Sequence, residues 1–289
     1  MGGQKDVDVT IMTPTFNRAH TLRRAHASLL EQSLQNFEWL VVDDGSTDGT
    51  GELIDELRAD TAVSIRYVRQ EHGGKHVAPN RAIPLARGRF FVGLDSDDWF
   101  LPEALETLNK VWESIPSGQR HRFLGVAGRC ALPNGKKIGG DLPTDVLDSN
   151  EIELRNRMRV HGDNAGMSRI DVLSAFPTPE MEAELFVTEA VVQNRIAREY
   201  QTRYFNDVIM IRDYQRGGLS DRSRITRMQS PSAARLYYRE LLSSRKLLGQ
   251  RSQLLRLTAF ATPSTLEHQF GLSPARPVRQ LGSAACRLH

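Results

Sequence analysis

A chain of 289 residues with 39% hydrophobic and 25% charged residues can bury a large core. None of its apolar runs approaches the roughly 20 residues that a membrane-spanning helix needs. The net charge of +3 hides an asymmetry: residues 221–289 carry 11 Arg and 1 Lys against Asp221, Glu240 and Glu267, a net +9 that leaves −6 on residues 1–220.

An acidic body with a basic tail anticipates something anionic opposite the tail, such as a lipid headgroup surface, nucleic acid or an acidic partner; a solvated basic helix is the plainer reading. Cys130 and Cys286 are too far apart for a metal motif and too few for a disulfide framework, which suits a reducing compartment. The opening MGGQKDVDV has no apolar signal core, and Asp6 stands where an acylation pattern wants Ser or Thr. The expected location is the cytoplasm, with peripheral attachment to the inner membrane face through the tail.

Val7, Val9 and Ile11 begin a strand that ends at Thr13-Pro14. Leu22, Ala25, Leu29 and Leu30 then recur at helical spacing, with Asn17 or Thr21 as the cap. Phe37 to Val42 is a short apolar run typical of a strand covered on both faces. Asp43-Asp44-Gly45-Ser46 stops it and leads into a helix carrying Leu53, Ile54 and Leu57. Ile65, Tyr67 and Val68 mark a third strand, residues 75–86 a helix, and Phe90 to Leu94 a fourth strand. Leu105, Leu108, Trp112 and Ile115 form the inner stripe of another helix. Phe123 to Ala131 reads as a strand and Pro133 to Asp145 as a loop. A helix from Thr188 to Tyr200 and a strand from Tyr204 to Ile211 follow, and Leu236 to Leu257 reads as a basic amphipathic helix.

Repeated β-α units predict an α/β fold: a mostly parallel central sheet flanked by helices, over residues 1–220, with a basic helical extension over 221–289. In such sheets ligands sit beyond the C-terminal strand ends. Thr13–Arg18, Asp43–Thr50 and Asp95–Asp98 each follow a strand, so three separate stretches should meet at one crevice.

The chemistry of that crevice is acidic. Asp95-Ser96-Asp97-Asp98 closes an apolar strand, and Asp-x-Asp there aims two carboxylates to one side. Hard cations such as Mg²⁺ or Mn²⁺ take carboxylate oxygens and bridge diphosphate oxygens, stabilising the charge of a departing diphosphate. A carboxylate from Asp43 or Asp44 could accept hydrogen bonds from a base or ribose, while Asp48 with Ser46 or Thr47 serves the next helix. Backbone groups of Thr13, Pro14, Thr15 and Asn17 could meet a base edge, with Phe16 packing on it and Arg18 facing phosphate.

Together, Thr13-Pro14-Thr15-Phe16-Asn17-Arg18, Val41-Val42-Asp43-Asp44-Gly45-Ser46-Thr47-Asp48-Gly49-Thr50, Gly73-Gly74-Lys75-His76-Val77-Ala78-Pro79-Asn80-Arg81 and Leu94-Asp95-Ser96-Asp97-Asp98 resemble family 2 glycosyltransferases of the GT-A fold. The resemblance covers residues 7–110 closely and runs on more loosely to about 220. It implies inverting transfer from a nucleoside-diphosphate sugar, commonly a UDP-sugar, to a saccharide, lipid-linked or other hydroxyl acceptor, assisted by Mn²⁺ or Mg²⁺. By the resemblance, Thr15, Asp43 and Asp44 contact base and ribose, and Lys75 or Arg81 lies near them or the diphosphate. Asp95, with Ser96 beside it, faces ribose or metal, and Asp97 is the principal metal ligand.

Inversion needs a base opposite the leaving group. Phe186-Val187-Thr188-Glu189-Ala190 resembles the family's base segment with Glu189 as the acid, although Ala190 stands where the family often has Asp. Glu182 and Glu184 are neighbouring rivals. Arg216-Gly217-Gly218-Leu219-Ser220 resembles a loop that closes over the diphosphate, with Arg216 neutralising phosphate charge. His161, alone, is left out of the metal site.

A dinucleotide fold would need Gly-x-Gly-x-x-Gly after the first strand, and a P-loop would need Gly-x-x-x-x-Gly-Lys-Ser/Thr; neither occurs. With an acidic body and no aromatic-basic interleaving, nucleic acid is not an expected partner. The remaining alternative is a catalytically degenerate GT-A-like module that recruits a partner or membrane through its tail.

Overall fold

The computed structural model describes residues 7–59, 61–181, 184–215, 226 and 229–243. The chain divides into compact units Met1–Leu248 and Gly249–His289, and every described residue belongs to the first.

Strands β1 (Val9–Thr15), β2 (Phe37–Asp43), β3 (Ser64–Arg69) and β4 (Phe90–Gly93) are joined by helices α1 (Ala19–Leu30), α2 (Thr50–Ala59) and α3 (Ala78–Ala82). They pair in parallel in the order β3-β2-β1-β4. Because β1 lies between β2 and β4, the connections diverge on either side of it and leave a crevice at its C-terminal end. Register puts Thr15 beside Asp43 and Asp43 beside Arg69 at that end.

Strand alternation decides the two covered faces. Ile11, Trp39, Val41 and Val92 pack with Leu22, Ala25 and Leu29 of α1, Leu53 and Ile54 of α2, and Leu105, Leu108 and Trp112 of α4 (Ala104–Glu113). Met12, Leu40, Val42 and Phe91 meet Ala78 and Ala82 of α3 on the other side. Full burial of a large apolar side chain is worth about 1.5–3 kcal/mol, so these two layers dominate the fold's stability.

The sheet continues through β5 (Trp99–Phe100), β6 (Phe123–Ala131), β7 (Val146–Ser149), β8 (Asn164–Arg169) and β9 (Gln201–Ile211). Strand β8 runs antiparallel to β4 and β6, β6 and β9 are parallel, and β5 and β7 pair antiparallel with β9. Among the described residues, four further helices follow β7: α5 (Glu151–Asn156), α6 (Ile170–Ala175), α7 (Ala190–Ile196) and α8 (Pro231–Ser243).

Several elements depart from the periodicity reading. β1 runs one residue past its predicted end at Thr13-Pro14, to Thr15; β4 pairs only as far as Met12, so the missing N–H of Pro14 interrupts at most one ladder there. The helix expected over 75–86 is a 3₁₀ turn (Lys75–Val77), α3 and a second 3₁₀ turn (Ile83–Leu85), with Pro79 and Pro84 punctuating the run. The helix expected through Tyr200 ends at Ile196. The Leu236–Leu257 reading falls partly on α8, whose inner face of Ala233, Leu236 and Leu241 leaves Arg235 and Arg239 exposed; residues 244–289 lie outside the described residues.

One buried polar knot crosses the parallel strands. The Glu38 side chain is fully buried and accepts from the Thr10 hydroxyl (2.8 Å), the Arg87 amide (2.7 Å) and Arg66 Nη1 (3.1 Å). Removing the guanidinium takes the nearer cation from a buried carboxylate and leaves Arg87 Nε at 4.0 Å. Arg66→Met is therefore expected to destabilise the fold by about 3 kcal/mol in chemical denaturation, at the lower end of the cost of breaking a buried pair. A change of a few tenths would show that Arg87 and water replace it.

Candidate active site at the strand ends

The three predicted stretches do meet. Asp44 N donates to Thr15 O (2.9 Å), linking the ends of β1 and β2, and Leu94 N donates to Met12 O (2.9 Å). Asn17, in the left-handed region at φ 54°, ties Thr13–Arg18 to the next loop: its amide donates to Ser46 Oγ (2.8 Å) and its Oδ1 accepts from Thr47 N (2.8 Å). Asp48 accepts from Ala19 N (3.0 Å) and from Thr50, clamping the starts of α1 and α2, which is the structural role expected of it.

The two acids at the end of β2 are buried and committed to protein partners. Asp43 accepts from Ser46 N (2.9 Å) and the Tyr67 hydroxyl. Asp44 accepts from Gln70 Nε2 (2.8 Å), Gly73 N (2.8 Å) and Gly74 N (2.9 Å), and pairs with His72 Nδ1 (2.8 Å). Asp44 thus shapes the 70–74 loop that delivers Lys75. Gly74 sits at φ 93°, and a Cβ there would lie 2.2 Å from Leu185 O, so only glycine lets this loop touch the 185 segment. Phe16, 42% exposed, stacks on the His72 ring at 4.3 Å. Thr15 is 3% exposed and its hydroxyl has no hydrogen-bond partner among the described residues.

The charged centre lies at the end of β4. Lys75 Nζ is 2.8 Å from both carboxylate oxygens of Asp95 and 3.5 Å from Glu189 Oε1. Burial opposes the ammonium charge, but Asp95 and Glu189 more than offset it and hold Lys75 above the ordinary lysine range. Asp95 is half-buried, and desolvation alone would raise its pKa; Lys75 and Arg212 overcome that and hold it below the usual carboxylate range.

Arg212, the first residue after β9, is the cation that periodicity missed. Its Nη1 lies 3.0 Å from Asp95 Oδ2 and 2.9 Å from Asp98 Oδ2, and its Nε is 3.4 Å from Asp163 Oδ2. Asp163 also accepts from the Tyr214 hydroxyl (2.6 Å), and Asp98 Oδ1 accepts from Asp213 N (3.1 Å). Pairing of Trp99 with Ile211 in β5 and β9 brings these groups together. The signal was present in the sequence: Arg212-Asp213 follows an apolar strand, as the other site stretches do. Arg24 of α1 holds the same loop, donating to Asp97 O (2.6 Å), pairing with Asp213 (2.8 Å) and lying 4.1 Å from the centre of the Trp99 ring.

Asp98 is buried, and burial pushes its carboxyl up to about 7 despite Arg212. Asp97 is half-buried, raised by burial and by the neighbouring charge of Asp95, and forms no ion pair among the described residues. The charge of Arg18 acts on it from the start of α1. A hard cation fits this donor set: Asp97 offers a carboxylate that needs a counter-charge, next to Asp95. Among the described residues no group of three or more His, Cys, Asp or Glu could hold a metal alone, so phosphate oxygens would have to complete the shell.

Glu189 occupies the cap position of α7, but its side chain makes no capping hydrogen bond and is 75% exposed beside Lys75. Both oxygens of its rival Glu184 accept backbone amides of α8, Ser232 N (2.8 Å) and Ala233 N (2.9 Å). Other expected site residues stand apart. Thr13 is fully buried and its hydroxyl accepts from Trp39 Nε1 (2.8 Å), which turns that side chain into the core and leaves only its backbone for a ligand. Pro14 and Ser96 are buried. Arg81 is exposed on α3 and has no hydrogen bond or ion pair with the acid cluster among the described residues. His161 is exposed, and its carbonyl accepts from Arg129 Nη2 (3.0 Å). Arg216 and Glu182 lie outside the described residues.

A sheet with acids at its parallel strand ends is the architecture of GT-A glycosyltransferases, and solved structures of that fold superpose on the chain. S. aureus TarS 1-349 in complex with UDP aligns with a TM-score of 0.63 at 17% identity, covering 91% of this chain and 75% of that one. The mannosyltransferase PcManGT from Pyrobaculum calidifontis, in complex with GDP-Man and Mn²⁺, aligns with a TM-score of 0.55 at 20% identity, covering 91% and 81%. Residues 10–140 match the family model Glycosyl transferase family 2. Glycosyltransferase GlyA of Streptococcus pneumoniae is 35% identical over 105 residues, 36% of this chain and 15% of the relative. Chondroitin synthase of Pasteurella multocida is 36% identical over 98 residues, 34% of this chain and 10% of the relative. The chain therefore spans a small part of the length of these relatives.

Proposed function

We propose that the chain transfers a sugar from a nucleoside-diphosphate sugar, in first place a UDP-sugar, to an acceptor hydroxyl with inversion, in polysaccharide or glycoconjugate synthesis. The observation that carries this reading is the Asp95–Lys75–Glu189 chain of contacts, which joins a diphosphate-type acidic loop to an exposed carboxylate. Thr15 and the Phe16–His72 stack would receive base and ribose. Asp43 and Asp44 would hold the surrounding loops and present their backbone. Lys75, Arg18 and Arg216 would meet phosphate charge. A Mn²⁺ or Mg²⁺ ion held by Asp97, with Asp95 beside it, would stabilise the negative charge of the leaving diphosphate. Glu189 would take the acceptor proton, with the Lys75 ammonium 3.5 Å from its Oε1. Peripheral attachment to an anionic membrane belongs to the same reading, supported by the exposed Arg235 and Arg239 on α8. No helix among the described residues is long and apolar enough to cross a membrane.

The test is nucleoside-diphosphate release from a panel of nucleotide sugars with Mn²⁺, Mg²⁺ or EDTA, beside calorimetric binding of UDP and GDP. Metal-dependent release from one donor is expected. Failure of every nucleotide to bind would replace this reading with that of a degenerate binding module.

A further inference from the structure

We propose that Arg212 is a built-in cation filling the inner position of the acidic loop, so that a divalent metal binds at Asp97 only together with the donor's diphosphate. The inference rests on the donor reading for the diphosphate, but its core concerns side chains alone.

A single nitrogen, Arg212 Nη1, stands 3.0 Å from Asp95 Oδ2 and 2.9 Å from Asp98 Oδ2. Two carboxylates converging on one point make a cation position, and here the protein supplies the cation. Every oxygen of the two acids is engaged: Lys75 meets both oxygens of Asp95 at 2.8 Å, and Asp213 N takes the second oxygen of Asp98 at 3.1 Å. Asp163 steadies the guanidinium from its other side at 3.4 Å, itself held by Tyr214.

A guanidinium stays charged at any working pH and is not removed by a chelator. Its charge-assisted hydrogen bonds to carboxylate are among the stronger polar contacts, and a metal would have to displace them to reach Asp95 or Asp98. That leaves Asp97 as the one free acid of the loop among the described residues, and a single carboxylate is a weak metal site. Mg²⁺-like ions complete such a site with substrate phosphates. The arrangement thus makes metal entry conditional on nucleotide. Asp98 is accordingly a positioning residue for Arg212 rather than a metal ligand.

The experiment is titration of the full chain with Mn²⁺, followed by the electron paramagnetic resonance of the free ion, with and without UDP. Wild type, Arg212→Met, Arg212→Gln and Arg212→Lys are compared, with circular dichroism to verify folding. Without nucleotide, the Met and Gln variants release Asp98 Oδ2 and leave Asp95 to Lys75 alone, and should bind Mn²⁺ about tenfold more tightly than wild type, the scale on which neighbours tune a metal site. Arg212→Lys should stay near wild type. Wild type should gain Mn²⁺ affinity on adding UDP.

Folded Met and Gln variants with unchanged Mn²⁺ affinity would overturn the proposal. Should neither variant fold, equal Mn²⁺ affinity of wild type with and without bound UDP overturns it, and a clear gain upholds it. Absence of UDP binding by calorimetry would instead remove the donor reading, and the nucleotide-free comparison of Arg212 variants would still decide the role of this cation.

Discussion

Asp97→Asn is expected to lower metal-dependent nucleoside-diphosphate release by about three orders of magnitude, the scale on which a preorganised charge at the reacting group is felt. The change conserves shape and removes only the charge. Asp97 forms no ion pair among the described residues, so little internal structure depends on it, and the melting temperature should barely move. Burial and the proximity of Asp95 already disfavour its charged form, which is the state of a group arranged to receive a cation. Steady-state release assays at saturating Mn²⁺, set beside thermal melts of both proteins, check this. Activity retained within severalfold would move the metal role elsewhere.

Glu189→Gln is expected to cost about 10³ in turnover, within the range of a lost general base, with UDP affinity unchanged. Its side chain is 75% exposed and, among the described residues, meets the rest of the site only through Lys75 at 3.5 Å, so the substitution should leave the fold intact. Loss of the negative charge also weakens the support of Lys75, but Asp95 still contacts that ammonium through both oxygens. Turnover with acceptor present, together with calorimetry of UDP, separates proton removal from donor binding. A fall in UDP affinity matching the fall in turnover would make Glu189 a binding group.

The donor half was legible because each of its strands is a short apolar run closed by a polar cluster. Trp39, Leu40 and Val41 are fully buried in β2, as the run from Phe37 to Val42 requires. The ends of β1, β2 and β4 converge, as parallel strands in β-α units must. The depth of individual side chains was not legible. Thr13 and Thr15 share a face by period two, yet one hydroxyl is taken by Trp39 and the other has no partner among the described residues. Asp43 and Asp44 looked ligand-facing because they are acidic and follow a strand. Their hydrogen bonds to Ser46, Gly73 and Gly74 come from loop closure, which no local pattern records. Arg212 reaches the site through a two-residue strand that pairs Trp99 with Ile211, too short to carry any periodicity.

The contact of Glu184 with α8 has a consequence for how this protein can be cut and recombined. The family match ends at residue 140, whereas the carboxylate proposed as the base hangs on a segment moored at one end by Glu184 to Ser232 and Ala233. Val187 and Val191 are packed against Ala233 and Leu236, and Arg195 and Arg198 reach Glu240, so α8 packs along α7 and the residues that flank it. A chimera that exchanges residues 10–140 carries the acid loop but neither Glu189 nor Arg212. Acceptor chemistry would travel on the second cassette, which stays whole only when residues 184–243 move as one piece.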